Sequence, residues 1–176
     1  LPEVEVKRLS SQLTSALSCL HIAHVTHRDL KPANIMIDTK TMKVTLIDFG
    51  LSGCGASLMT RPCGTPAYMA PEVTSSMGYG CVVDMWSLGA SIVEMLTGSP
   101  PNLNTISKKG NYAKLVQRSE LFASLPSLSK DCLSFLDQLL QIYPDRRMTS
   151  TEALHHTWIR EAQDISNQTV TSVTST

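Results

Sequence analysis

Between about Glu3 and His21 the apolar residues Val6, Leu9, Leu13, Leu17 and Leu20 recur at steps of three and four. That spacing returns side chains to one face of an α-helix, so an amphipathic helix packed on a core is predicted. The period then changes. Ile35-Met36-Ile37 and Val44-Thr45-Leu46-Ile47 are short β-favouring runs separated by the polar stretch Asp38 to Lys43, the pattern of a hairpin. Gly50 to Met69 is irregular and rich in Gly, Ser, Thr, Pro and Cys; loops this long inside a domain are usually functional or disordered. From Cys81 to Leu96 the residues are apolar nearly all round, which predicts a buried helix, stopped by Gly98-Ser99-Pro100-Pro101. Residues from about Asn102 to Leu125 are polar and predict one or two short helices. Another amphipathic helix is expected from about Ser129 to Ile142, with Leu133, Leu136, Leu139 and Leu140 inward, and a last one from Thr151 to Ile159. Residues 161–176, with the Ser/Thr-rich run Ser166 to Thr176, have the composition of a disordered tail. The sum is a mainly α fold with a short β-hairpin.

A chain of 176 residues can bury one sizeable core, so the pattern belongs to one domain. Fifteen basic and fifteen acidic residues cancel, and no bulk field points to nucleic acid or to a membrane surface. No secretory leader pattern and no apolar run long enough to span a bilayer is present. Cys19, Cys54, Cys63, Cys81 and Cys132 are odd in number and share no metal-ligand spacing. They read as reduced thiols of an intracellular protein, cytoplasmic or nuclear. Cys63, in the irregular segment, reads either as a small loop side chain or as a redox-sensitive thiol.

The chemistry concentrates in one loop, His27-Arg28-Asp29-Leu30-Lys31-Pro32-Ala33-Asn34, with Asp48-Phe49-Gly50 following the hairpin. Asp29 offers a carboxylate that can orient a hydroxyl and accept its proton. Lys31 is a cation two residues on. Asn34 and Asp48 offer oxygens suited to a hard cation such as Mg²⁺. Phosphoryl transfer asks for little covalent help; it needs positioning and neutralisation of charge on the transferred group.

These residues, followed in order by Ala70-Pro71-Glu72, resemble the catalytic, metal-binding and segment-closing loops of the eukaryotic protein kinases. Lys31 and Gly64-Thr65-Pro66 are similar to the serine/threonine class, and a short match around Leu58 to Pro66 resembles the calcium/calmodulin-dependent and checkpoint kinases. The resemblance implies a fold: the large helical C-terminal lobe of a kinase over residues 1–160. It also implies an activity, transfer of the ATP γ-phosphate to Ser/Thr hydroxyls of protein substrates, with ATP and Mg²⁺ as cofactors. Asp29 would then be the base, Lys31 would attend the phosphate, and Asn34 with Asp48 would hold the metal. Met36 would lie beneath the adenine ring and Ile47 would line the pocket, with plain core packing as the alternative for both. Thr65 would hydrogen-bond around Asp29 and Lys31 at the substrate wall. His27 and Phe49 are implied to be structural, as are Asp84, accepting from the loop backbone near His27 and Arg28, and an ion pair of Glu72 with Arg147.

Arg28 implies control by a phosphate placed on the segment from Asp48 to Glu72 by an upstream activating kinase. Thr60 is the first candidate acceptor, with Ser57 and Ser52 behind it; the position four before Thr65 is Arg61, which carries no hydroxyl. Nothing in the sequence matches the Gly-rich phosphate loop, the strand Lys or its helix Glu partner. An N-terminal kinase lobe is therefore an expected partner, and the 176 residues alone are expected to bind nucleotide weakly, transfer little and expose the surface that meets that lobe. Two other readings stay open: a truncated kinase-like protein acting as a non-catalytic binding or regulatory module, and a small-molecule phosphotransferase with a similar loop.

Overall fold

A computed structural model of the chain describes residues 1–74, 78–101, 125 and 128–162. The first apolar stripe becomes α1, Glu3–Ile22. Val6, Leu9, Leu13 and Leu17 are buried, and Leu20 packs on the same core part-exposed. Ser10, Ser11, Thr14 and Ser18 widen the buried face with small polar residues. The Thr14 hydroxyl donates to the Ser10 carbonyl at 2.8 Å, which lets it be buried without an orphaned group.

Four short strands make two small ladders. In the hairpin, β2 (Ile35–Ile37) pairs antiparallel with β3 (Val44–Leu46), with Ile35 opposite Leu46 and Ile37 opposite Val44. The second ladder was not expected: β1 (Val25–Thr26) pairs with β4 (Gly53–Cys54), inside the stretch read as irregular. It is followed by a bond from the Gly55 N–H to the His24 carbonyl at 2.9 Å. The start of the long segment is thereby pinned to the strand that leads into the Asp29 loop.

α2 runs from Val83 to Thr97 and forms the centre of the molecule, buried without interruption from Val83 to Val93. It begins two residues later than the apolar pattern suggested, and ends at Gly98, whose φ of +80° is the left-handed cap that glycine adopts without strain. Gly89 sets how closely the next helix can approach: a Cβ there would sit 2.9 Å from Leu140 Cδ2. That neighbour is α3, Lys130–Leu139, capped by the Ser129 hydroxyl accepting from the Cys132 N–H. Its inward face is centred on Cys132, Phe135, Leu136 and Leu139, while Leu133 is only partly buried, so the face is turned relative to the leucine stripe.

The last predicted helix is broken. α4 covers Ser150–Leu154 with a capping box between Thr149 and Glu152, and helical structure resumes over residues 157–162. The interruption has a side-chain cause: His156 Nδ1 accepts from the Trp158 N–H at 3.2 Å, so His156 caps a new helix instead of continuing the old one. Glu161 and Ala162, assigned to the tail by composition, belong to this helix; Ala162 is buried and Glu161 pairs with Lys7 at 2.6 Å. Glu3 joins the same corner, accepting from the Ser129 N–H at 2.9 Å and the Trp158 indole at 3.0 Å. The helices expected between Asn102 and Leu125 and the tail after Ala162 lie outside the described residues, apart from Leu125.

A buried ion pair closes the far side. Arg147 Nη1 and Nη2 donate to the two carboxylate oxygens of Glu72 at 2.5 and 2.9 Å. The guanidinium also donates to the Gln141 carbonyl and lies 5.2 Å from the Trp86 ring centroid. Glu72→Ala would leave that charge buried without its anion and is expected to cost about 3–5 kcal/mol. Denaturant unfolding measures this, and a loss under about 1 kcal/mol would show a pair that water already screens.

Candidate active site

The loop from His27 to Asn34 is irregular backbone, so its shape depends on what its N–H groups bond to. Asp84, on the first turn of α2, supplies the anchor. Its carboxylate is 0% exposed and accepts from the His27 N–H at 2.8 Å and the Arg28 N–H at 2.9 Å. Arg28 has φ +68°, a left-handed conformation uncommon outside glycine, and the Asp84 bond falls on that residue. The same carboxylate meets His21 Nε2 at 3.0 Å, while His21 Nδ1 faces the Ser150 hydroxyl at 3.0 Å. Burial alone would lower the His21 pKa, but the bonds to Asp84 and Cys81 raise it from 6.5 to about 9. His21 was not singled out from the sequence. The one available sign was its place one turn beyond Leu17 and Ser18 on the buried face of α1.

His27 ties this loop to the end of the hairpin. Its Nδ1 accepts from the Asp29 N–H at 3.3 Å, which leaves Nε2 as the protonated nitrogen, donating to the Ile47 carbonyl at 3.1 Å. The Phe49 ring tilts against it at 5.0 Å. Ile47 in turn donates its N–H to the Asn34 carbonyl at 3.0 Å, so Asn34 and the strand end preceding Asp48 are neighbours.

Asp29 sits at the centre of four donors. Oδ1 accepts from the Thr65 N–H at 2.8 Å and the Thr65 hydroxyl at 2.7 Å. Oδ2 accepts from Lys31 Nζ at 2.8 Å and Asn34 Nδ2 at 3.2 Å. Lys31 also donates to Thr65 Oγ1 at 2.7 Å. Burial pushes the Asp29 carboxyl up, yet Lys31 and Thr65 outweigh it and hold it below the usual carboxylate range. It is therefore an anion at neutral pH. Gly64 makes this closure sterically feasible: its φ is +111°, and a Cβ there would lie 2.5 Å from the Arg28 carbonyl.

Asn34 is buried and spends its amide nitrogen on Asp29, at 2.8 Å to the carbonyl as well as on the carboxylate, which leaves the amide oxygen for a cation. Asp48 is exposed, has φ +64°, and accepts the Gly50 N–H at 3.3 Å. The pair of oxygens suits a hard cation. Among the described residues no group of three or more His, Cys, Asp or Glu side chains is placed to hold a metal. Beside this site Met36 (56%), Phe49 (45%), Leu51 (40%) and Ile47 (37%) are open to solvent. Core packing does not account for Met36, and Ile47 lies just past the end of β3.

The segment residues are distributed less compactly. Ser57 and Thr60 are exposed. The Arg28 guanidinium instead meets the Leu51 carbonyl at 2.5 Å, the Ser52 carbonyl at 3.4 Å and the Tyr79 hydroxyl at 3.4 Å. Tyr79, like His21, went unremarked in the sequence. Further along, the Tyr68 hydroxyl donates to Glu94 at 2.5 Å, with burial first and Glu94 second raising its pKa.

Comparison with known proteins decides the family. Residues 1–159 match the model of the protein kinase domain. This chain belongs to the protein kinase family. It is similar to the human hormonally up-regulated neu tumor-associated kinase, 39% identical over 167 residues, which are 92% of this chain and 23% of that protein. Myosin light chain kinase A of Dictyostelium discoideum is 34% identical, covering 97% of this chain and 59% of the relative. The serine/threonine-protein kinase hippo of Drosophila melanogaster is 35% identical, over 93% and 25%. These matches place the kinase domain with the eukaryotic serine/threonine enzymes. The chain spans about a quarter of the length of the first of these relatives, 23% of it. No helix among the described residues is long and apolar enough to cross a membrane.

Because the folded His21 pKa is raised, its pairing with Asp84 stabilises the kinase domain fully below about 6.5 and is lost as pH rises through about 9. Native protein is expected to lose on the order of 3 kcal/mol across that window, against a flatter profile for His21→Gln. Urea unfolding at intervals from pH 6 to 10 measures it. Parallel profiles for the two proteins would show that His21 carries no linked proton.

Proposed function

We propose that the chain carries the large-lobe half of a serine/threonine kinase active site and transfers the ATP γ-phosphate to Ser/Thr hydroxyls of protein substrates. The observation that carries this reading is the Asp29 carboxylate, kept anionic between Lys31 and Thr65 and within one loop of Asn34. An anion so placed accepts the hydrogen bond of an incoming hydroxyl and aims its oxygen. As the hydroxyl oxygen bonds to the γ-phosphorus, the bond from that phosphorus to the β–γ bridging oxygen breaks, the proton passes to Asp29 and ADP leaves. Lys31 stands 2.8 Å from the same carboxylate, close enough to share the charge that shifts toward the transferred group. Mg²⁺, held by Asn34 and Asp48, would neutralise phosphate oxygens. Met36 and Ile47 provide the apolar wall for the base, and Thr65 forms the wall against the substrate residue.

A small lobe with a Gly-rich loop and a strand Lys would close the nucleotide site from the face where Met36, Ile47, Phe49 and Leu51 are exposed. Arg28 is where a phosphate placed on Thr60 or Ser57 by an upstream kinase would add to the order of the segment. All five cysteines are free thiols, which supports an intracellular setting, cytoplasmic or nuclear. Joined to a small lobe, Asp29→Ala is expected to lower kcat by at least about 10³-fold while leaving ATP affinity within a few-fold, whereas Asp48→Ala weakens Mg²⁺-ATP binding. Peptide phosphorylation and nucleotide titration separate the two. Normal turnover by Asp29→Ala would overturn the assignment of Asp29 as the base, and no transfer by the native joined protein would leave a non-catalytic binding module.

A further inference from the structure

We propose that Tyr79 is a positioning residue: its hydroxyl and backbone tether the activation segment over Arg28, so that the segment is ordered without any phosphate. The inference rests on the kinase reading for its activity readout, and on geometry alone for the tether.

Tyr79 is 2% exposed and reaches the segment by three routes. Its hydroxyl donates to the Arg61 carbonyl at 2.6 Å and lies 3.7 Å from Cys63 Sγ. Its backbone exchanges both bonds with Met59, at 3.0 and 2.9 Å. The hydroxyl oxygen is also an acceptor for Arg28 Nη1. One tyrosine, by its backbone and its phenol, therefore joins residues 59–63 to the arginine beside Asp29. Burial and Cys63 raise the phenol pKa against the pull of Arg28, so the hydroxyl stays a donor.

Arg28 completes the connection at the other end. Its Nε and Nη2 donate to the Leu51 and Ser52 carbonyls, where the segment leaves the hairpin. The guanidinium thus links the start of the segment to the Tyr79 hydroxyl, and through it to the middle of the segment, by neutral acceptors, and among the described residues no carboxylate forms an ion pair with it. The residue whose carbonyl meets the phenol is Arg61, whose side chain has no hydroxyl to modify. Gly78 lets the chain turn in close beside this contact: its φ is +82°, and a Cβ there would lie 3.1 Å from Leu58 Cβ. A phosphate on Thr60 or Ser57 would add to this tether; it is not needed to create it.

The test is made on the protein as its own cells produce it, native and Tyr79→Phe, each treated with a phosphatase. Phenylalanine keeps the ring and removes only the hydroxyl. Dephosphorylated native protein is expected to retain peptide phosphorylation within about twofold of untreated protein. Dephosphorylated Tyr79→Phe is expected to lose about tenfold in kcat, with the KM for ATP within twofold and the thermal midpoint little changed. Hydrogen exchange at residues 59–65 should rise about tenfold in Tyr79→Phe, while the His27 and Arg28 amides held by Asp84 keep their rates. The proposal is overturned if native protein falls to the mutant level on dephosphorylation, or if Tyr79→Phe exchanges like native. Should untreated native protein transfer no phosphate at all, the kinase reading fails, and the exchange comparison still decides the tether.

Discussion

One buried carboxylate organises the functional half of this molecule. Asp84 stands in the first turn of the helix that forms the core, and turns its side chain back toward the loop from His27 to Asn34. An unpaired charge at full burial would be strongly unfavourable, so the fold must surround it with donors. The donors it finds are two consecutive loop N–H groups and the His21 imidazole. The demand of a desolvated anion thereby becomes a constraint on irregular backbone. The left-handed turn at Arg28 and the orientation of His27 both follow from that constraint.

From this anchor the geometry passes outward in two directions. Through His27 it reaches the Ile47 carbonyl and the Phe49 ring, which places the strand end before Asp48 beside Asn34. Through Arg28 it reaches the segment, by way of the Leu51 and Ser52 carbonyls and Tyr79. Asp29 lies between these branches, and Thr65 closes over it from the segment side. The site is accordingly assembled from parts distant in sequence, and each part is held by hydrogen bonds that burial makes costly to break. The Glu72–Arg147 pair does the same for the end of the segment, against Trp86 and the carbonyl of Gln141.

Much of this could be read from the residues, and what could not shares a physical reason. The stripe of α1 and the apolar run of α2 show because periodicity and burial act on many residues at once. Asp29, Asn34 and Asp48 stand out as candidates because the types that phosphoryl transfer would need stand at motif spacing. His21 and Tyr79 do not, since their partners Asp84 and Arg28 are 63 and 51 residues away and no local pattern marks them. The β1–β4 ladder is two residues long on each side, too short to leave a period. The last helix breaks because the His156 side chain competes for a backbone N–H, a choice that propensity does not encode.

The most direct measurement is hydrogen exchange at the His27 and Arg28 amides in native protein and in Asp84→Asn, which keeps the shape of the side chain and removes its charge. If the carboxylate organises the loop, both amides are protected to near the global stability in native protein. At least one then exchanges at least about tenfold faster in Asp84→Asn, while amides of the α2 interior keep their protection. Equal protection of the two amides in both proteins would contradict the claim, and would mean that the loop holds its form without Asp84.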